Sequence, residues 1–551
     1  LLRGEVVMRW VGLLLVFTAC DDSTGDTDGD PPTVAGYADA DLDGYIASVD
    51  CDDDNADVHP GQAEVCNAID DDCDGGIDND AVDGMIGFVD ADGDGVGSDV
   101  PLVSCVVAGW SPEGGDCDDA DAARFPGNAE VCNGVDDDCD LGTDEGATIG
   151  NVRYDHLGDA ALAAADGDVL TLCDGTVRDG AILVARTLTI TSVSGDPALT
   201  VIDGSGAGSS VFVVDGGDLT LDGVTVTGGS GTLAPLLPGE PPALAGGAIN
   251  ALTGDGGPVT VRNAVFDGNS AHAGGAIAAQ ELTIEDCTFT GNDASGISPG
   301  EGGAVWVSAE GNLTVERTLF EGNNATEGGA IDARSPVTLL DVEATGNVAS
   351  SGAFARIESA DGLTPASLAI VRGNLHDNIA TVQGGALLLV HANGTADATT
   401  TFTSNVAAEG GALMVTTGIF GGPVVTWSGG TFMDNAADTV GGGILVEAND
   451  APVEIADVVV TDNTSDAQGG GLMLRGTNAG ACTVRDSLVS GNLADSGGGL
   501  MLSNVPSVIP AMVLERVEIR DNVALLVGGG LYQIYADVEL TDVVIADNVA
   551  D

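Results

Sequence analysis

From residue 265 onward one phrase recurs: FDGNSAHAGGAI, FEGNNATEGGAI, FTSNVAAEGGAL, FMDNAADTVGGGIL. Its asparagine falls at 269, 292, 323, 347, 378, 405, 435, 463, 492, 522 and 548, and the ten intervals average 27.9 residues. A period of that length is the mark of a solenoid, in which each repeat is one coil that buries its apolar side only by stacking on the next. Each period holds short runs of Val, Ile, Leu and Thr between Gly or Asp corners, with no helical periodicity. The prediction is an all-β fold, a parallel β-helix over residues 150–551.

Period-two alternation assigns the faces. Phe266, Phe289, Phe320, Phe402, Phe432, Val460, Val489, Ile519 and Ile545 stand three before the asparagine and are expected inside, with neighbours such as Glu343 and Glu518 outside. The asparagines are expected at left-handed corners, bonded to one another along the axis, and the glycine pair makes the next sharp turn. After the glycines, Trp306, Leu388, Met414, Leu445, Met473, Met501 and Tyr532 fall on the side away from the core. They form an exposed apolar binding strip, or the faces are reversed there, or a loop such as the apolar, proline-rich 231–247 covers them. A short helix over Gly158–Ala165 is expected to cover the first coil. The repeat stops three residues past Asn548, before the next glycines, so a truncated helix is expected.

The front of the chain obeys different physics. Residues 20–146 hold 37 acidic residues against one basic residue, Arg124, and eight of the eleven cysteines. DADLDGYIASVD (39–50) and DADGDGVGSDVP (90–101) set aspartates at the first, third and fifth positions before a glycine. A hard cation takes several oxygens from such a loop, and Asp50 holds the twelfth position as in an EF-hand. Pro101 stands at the corresponding place in the second loop, so Asp99 or another segment is expected to complete its shell. VCNAIDDDCDGGID (65–78) and VCNGVDDDCDLGTD (131–144) repeat the alternation at an offset of 66 residues. The candidate ligands are therefore Asp39, Asp41, Asp43, Asp50, Asp70, Asp72, Asp74, Asp78, Asp90, Asp92, Asp94, Asp99, Asp136, Asp138, Asp140 and Asp144. Two carboxylates about 4 Å apart repel by ~1 kcal/mol even at water's dielectric constant, and a divalent ion offsets this. Calcium is the expected ion.

The text DADxDGY/V, DCDD and PGxAEVCNxxDDDCDxxxDE resembles the metal-binding motif repeats of MopE-like secreted bacterial proteins, in two copies over residues 37–146. The resemblance implies metal binding and secretion. That family's association with copper is poorly supplied by one histidine, His59, and no methionine pair. The family pattern includes the extra Cys105; we expect disulfides 66–73, 105–117 and 132–139, with Cys51 left over and Cys173, Cys287 and Cys482 as small buried residues. LTLDGVTVTGG resembles the start of pectin-lyase-like right-handed β-helices, and the GGAI and F-x-x-N pairs resemble polymorphic outer-membrane protein repeats of surface adhesins. MRWVGLLLVFTAC (8–20) resembles a bacterial lipoprotein signal over residues 1–19, lipidated on Cys20, followed by a tether over residues 20–36.

Bulk composition narrows the function. Fifteen arginines, no lysine and a net charge of −72 exclude a lysine phosphate loop, a Schiff base and a nucleic-acid surface. Among the outward positions after the glycine pairs only Asp332 is acidic, with Arg334 and Arg356 near it, which is little for a lyase or hydrolase. The expectation is a non-catalytic envelope lipoprotein, most simply of the outer membrane, held to the membrane by its lipid alone. A calcium-stiffened stalk would present the β-helix to a carbohydrate or protein ligand. A polysaccharide-active enzyme and a copper-binding surface protein are the alternatives.

Overall fold

The computed structural model describes residues 39–551 apart from 107, 129–131, 133–134, 140–145, 237–240, 297–298, 418–422, 450, 477–480 and 505–510. The expected signal, the tether, Cys20, Asp140 and Asp144 lie outside the described residues. The chain divides into two compact units, up to residue 114 and from 115 onward.

The first unit is built of aspartate loops around one antiparallel sheet, β1 (Met85–Val89) between β2 (Pro101–Ser104) and β3 (Trp110–Ser111). Among its described residues only Val58 and Ala81 are buried apolar side chains. So small a core does not hold a domain of this size by itself, and disulfides or metal are the usual supplement.

The second unit holds the second cysteine-bearing motif and then the parallel β-helix, which is entered through an antiparallel start. β4 (Ala147–Ile149) pairs with β5 (Val152–Tyr154) and with β6 (Val169–Leu172). Helix α1 (Leu157–Ala163) lies between, and its Leu157, Ala160 and Ala161 enter the same core as Leu170 and Leu172, so it covers the first coil as expected. Beyond it, parallel sheets of 14 and 8 strands and one of 27 run along the axis.

One strand column of the 14-stranded sheet points its middle residue inward. Phe266, Phe289 and Phe320 pair in register and stack at 4.8 and 5.0 Å, and Phe402 stacks on Phe432 at 4.4 Å. The inward set is fully buried up to Ile519, and Ile545 in the last coil is exposed. Such offset ring contacts add stability beyond the apolar area they bury.

The asparagines form a continuous internal ladder. Asn405 shows the pattern: its backbone N–H and its Nδ2 both donate to Asn435 Oδ1, at 2.9 and 3.0 Å, and Nδ2 also donates to the Leu375 carbonyl at 2.9 Å. The ladder residues from Asn269 to Asn522 have no exposed surface. The left-handed backbone sits one residue earlier than expected, at Asp434 (φ 56), Asp462 (φ 57) and Asp521 (φ 57). Aspartate tolerates that conformation and stays in solvent, which frees the asparagine to face inward. The two glycines that follow serve different ends. Gly410 takes φ 65, whereas a Cβ on Gly411 would lie 2.0 Å from the Gly442 carbonyl oxygen of the next coil.

The apolar strip is not an open face. Leu388, Met414, Leu445, Met473 and Met501 are in register and 0–4% exposed, packed with Val440, while Tyr532, Val390 and Ile534 close the sides. Val440 comes from the strand that returns toward the glycine turn, so the middle residues meet the coil's own corner and build a second small core. Trp306 is buried too, among Ala234, Ala245, Leu252, Ala273 and Ala278. Part of this cover is a hairpin, Thr232–Ala234 with Ala243–Ala245, formed by the insert. The insert therefore covers Trp306 and not the methionine row.

Candidate metal centre

The loop from Asp39 is held by its own backbone. Asp39 accepts from the N–H of Leu42 (2.7 Å) and of Gly44 (3.1 Å), Asp41 Oδ1 from Asp43, and Asp43 Oδ1 from Tyr45 (2.8 Å). Both oxygens of Asp39 and one each of Asp41 and Asp43 are thus used in shaping the loop. The other oxygens are left: Asp41 Oδ2 and Asp43 Oδ2 are buried without a hydrogen-bond partner. Asp50 adds a third such oxygen, its Oδ2, from a side chain that is 8% exposed, while its Oδ1 accepts from Asp52 (2.9 Å). Burial, with the charges of Asp43, Asp50 and Asp39, pushes the Asp41 carboxyl above its ordinary value, against a lowering by the Asp43 N–H. Asp39, Asp41 and Asp43 bring ligand oxygens within 4.8 Å of one another. Buried carboxylate oxygens are normally paired or bound to a cation.

The second loop repeats the wiring. Asp90 accepts from Gly93 (2.7 Å) and Gly95 (3.2 Å), and Asp94 Oδ1 from Val96 (2.8 Å). Asp90, Asp92 and Asp94 converge as the first three do. Asp99 is exposed and does not join that group.

In the cysteine-bearing motif Asp70 and Asp72 converge with Glu64, which is 4% exposed and accepts from the N–H of Asp72 (2.8 Å) and Asp78 (2.9 Å). Asp78 is turned elsewhere and accepts from Asn67 (3.0 Å) and Ala68 (2.9 Å), while Asp74 receives Asn79. Glu64 was missed as a ligand because it lies outside the alternating run. Its signal was the repeated AEVC, found again with Glu130 at the same offset of 66 residues. Asp136 and Asp138 lie in the second copy, where Asp116 Oδ1 accepts from Asp118 as Asp50 Oδ1 does from Asp52.

The cysteines pair across the motif. The bonds are Cys51–Cys73, Cys66–Cys105, Cys117–Cys139 and Cys132–Cys173. The expected pairs 66–73, 105–117 and 132–139 are thus corrected, and Cys51 and Cys173 belong to the framework. In each copy the first cysteine reaches the third, 22 residues on, and the second reaches forward out of the motif by 39 or 41 residues. Cys287 and Cys482 are free, and burial pushes both thiols up to about 12. The sulfurs beside Asp50 and Asp116 are therefore in disulfides and offer no thiolate. His59 stacks on Tyr45 at 4.8 Å. The donor set is carboxylate oxygen, which suits a hard cation.

Two stretches, residues 50–79 and 116–145, match the Cu-binding MopE metal-binding motif. The chain carries two copies of that motif. No curated protein matches it. Among solved structures it is similar to the crystal structure of the periplasmic alginate epimerase AlgG, at 11% identity and a TM-score of 0.37, over 71% of this chain and 82% of that one. That neighbour of the β-helix kind is an enzyme, and the expectation of a non-catalytic helix is withdrawn with that finding. The likeness is too slight to carry the epimerase's substrate or residues across.

Asp332, the carboxylate singled out on the helix, has no exposed surface. Its Oδ2 accepts from Arg356 at 3.0 Å, and Arg356 also meets Glu327 (2.9 Å) and Glu358 (2.5 Å). Arg334 pairs with Glu301 at 2.9 Å, and Glu301 accepts from the Trp306 indole at 2.8 Å. Burial pushes the Asp332 carboxyl above its ordinary value, and the arginines pull the other way. The cluster is a buried ionic node within the coil wall.

Proposed function

We propose that this is an exported, lipid-anchored cell-surface protein whose aspartate module binds calcium and so mounts the β-helix for adhesion or scaffolding. The observation that carries the reading is the loop ending in Asp50, where Asp41, Asp43 and Asp50 each bury one carboxylate oxygen without a hydrogen-bond partner. Carboxylate oxygens buried in this way are held only at a cost that a bound hard cation removes. The near-absence of an apolar core in the same unit gives the ion a structural task. Calcium would be held by Asp39, Asp41, Asp43 and Asp50, with the equivalent aspartates of the second loop as a further site. Copper would require softer ligands than these oxygens and the oxidised sulfurs supply.

Calorimetric titration of the chelator-treated full chain with calcium and with copper tests the reading. Saturable calcium binding that weakens in Asp50→Asn supports it. Tight copper binding unaffected by excess calcium would refute it.

A further inference from the structure

The 8-stranded sheet, whose strands run from Val348–Ser351 to Val549–Ala550, has an outer face that the coil's own packing does not use. Its inner residues, Ala349, Ala380 and Ala407, are buried against the coil. Its outer residues stand in a straight row, in register coil by coil: Val348, Ile379, Val406, Ala436, then Thr464, then Leu493 and Val523. Ile379 is 49% exposed, Val348 39% and Leu493 37%. At ~4.8 Å per coil the ridge runs roughly 29 Å along the axis. Strand propensity does not require these residues, because Thr464 fills the same position.

Acidic residues border the ridge on both sides at Ala436 and Thr464, and on one side at Ile379, Leu493 and Val523. Asp434 and Asp462 occupy the exposed corner two residues before it, and Asp438, Asp466 and Asp495 stand two residues after it. Arg520, three residues before Val523, is already engaged by Glu518 (2.9 Å) and Asp521 (3.3 Å). An aliphatic row whose middle is flanked by negative charge has a definite complement. A second copy of this chain would set like charges against each other. A glycan would find no aromatic ring to stack on among the ridge residues.

We infer that this ridge docks a cationic, amphipathic polypeptide, its apolar side chains on the valine–isoleucine–leucine row and its lysines or arginines on the aspartate borders. The inference rests on the binding role proposed above and names the surface and the partner's chemistry.

The test uses the full chain and a labelled peptide of alternating lysine and leucine, about ten residues long so that at ~3.3 Å per residue it covers the ridge. A lysine–threonine peptide of equal charge is the comparison. The leucine peptide should bind at least about tenfold more tightly, a difference of about 1.4 kcal/mol. Ile379→Thr with Leu493→Thr should reduce it to the level of the threonine peptide, while Leu363→Thr, an exposed apolar change elsewhere, should leave it unaltered. Equal affinity for the two peptides, or no loss in the double variant with its thermal melt intact, would overturn the inference. Repeating the titration in EDTA and in calcium separates the two readings. Peptide discrimination without calcium binding removes the metal reading and keeps the ridge, and calcium binding without discrimination does the reverse.

Discussion

Cys132 is disulfide-bonded to Cys173, which fastens the second metal-binding motif to the end of β6 in the first coil of the β-helix. The loop it closes spans 41 residues and contains β4, β5 and α1, the elements that cover the open end of the stack. The double variant Cys132→Ser, Cys173→Ser should lose about 2–4 kcal/mol of local stability. Limited proteolysis should show cleavage within residues 116–173 rising while the coils beyond residue 188 stay resistant.

Asn405→Ala should be far more damaging than its size suggests. It removes the acceptor for the Asn378 N–H (3.1 Å) and the donor to the Leu375 carbonyl (2.9 Å), both inside the wall. Each buried group left unpaired costs about 1–3 kcal/mol. Asn374→Ala, one turn of sequence away but exposed, should be nearly neutral, and thermal melts of the two variants make the comparison.

The ionic node predicts a pH dependence. Asp332 titrates above the ordinary carboxylate value of 3.8 because it is buried. The folded state therefore holds its proton where the unfolded chain has released it, so this contribution is complete below the unfolded pKa and is lost as pH rises through the folded one. Asp332→Asn cannot ionise. Melting temperature measured from pH 4 toward neutrality should fall less steeply in the variant than in the parent chain, and parallel curves would refute this assignment.

Much of the β-helix was legible because it is written as a repeat. The phenylalanine column and the asparagine ladder each occupy one position per coil, so spacing alone assigned them a face. For the methionine row the alternation left the cover open, for a local reason. Alternation correctly placed Leu388, Met414 and Met501 away from the main core, but not the corner that brings Val440 over them. The left-handed corner was displaced by one residue because asparagine and aspartate tolerate the same backbone, and only the inward hydrogen bonds of Asn405 distinguish their tasks. In the front unit the convergence of Asp39, Asp41 and Asp43 and of Asp90, Asp92 and Asp94 agrees with their spacing, whereas the disulfide partners do not. Cys51 reaches Cys73 across a chain path that no count of intervening residues reveals. Glu64 was hidden likewise, since it joins Asp70 and Asp72 only through the fold.

The account stands on bound ions ordering a unit that buries almost no apolar side chain. Amide hydrogen exchange of the full chain, in calcium and in excess EDTA, examines this at the bonds concerned. The N–H groups of Leu42, Gly44 and Tyr45, and of Gly93, Gly95 and Val96, all point to loop carboxylates. The account predicts that calcium protects these six and that chelation exposes them while the Asn405 ladder stays protected. Equal protection of the loops in EDTA would contradict it.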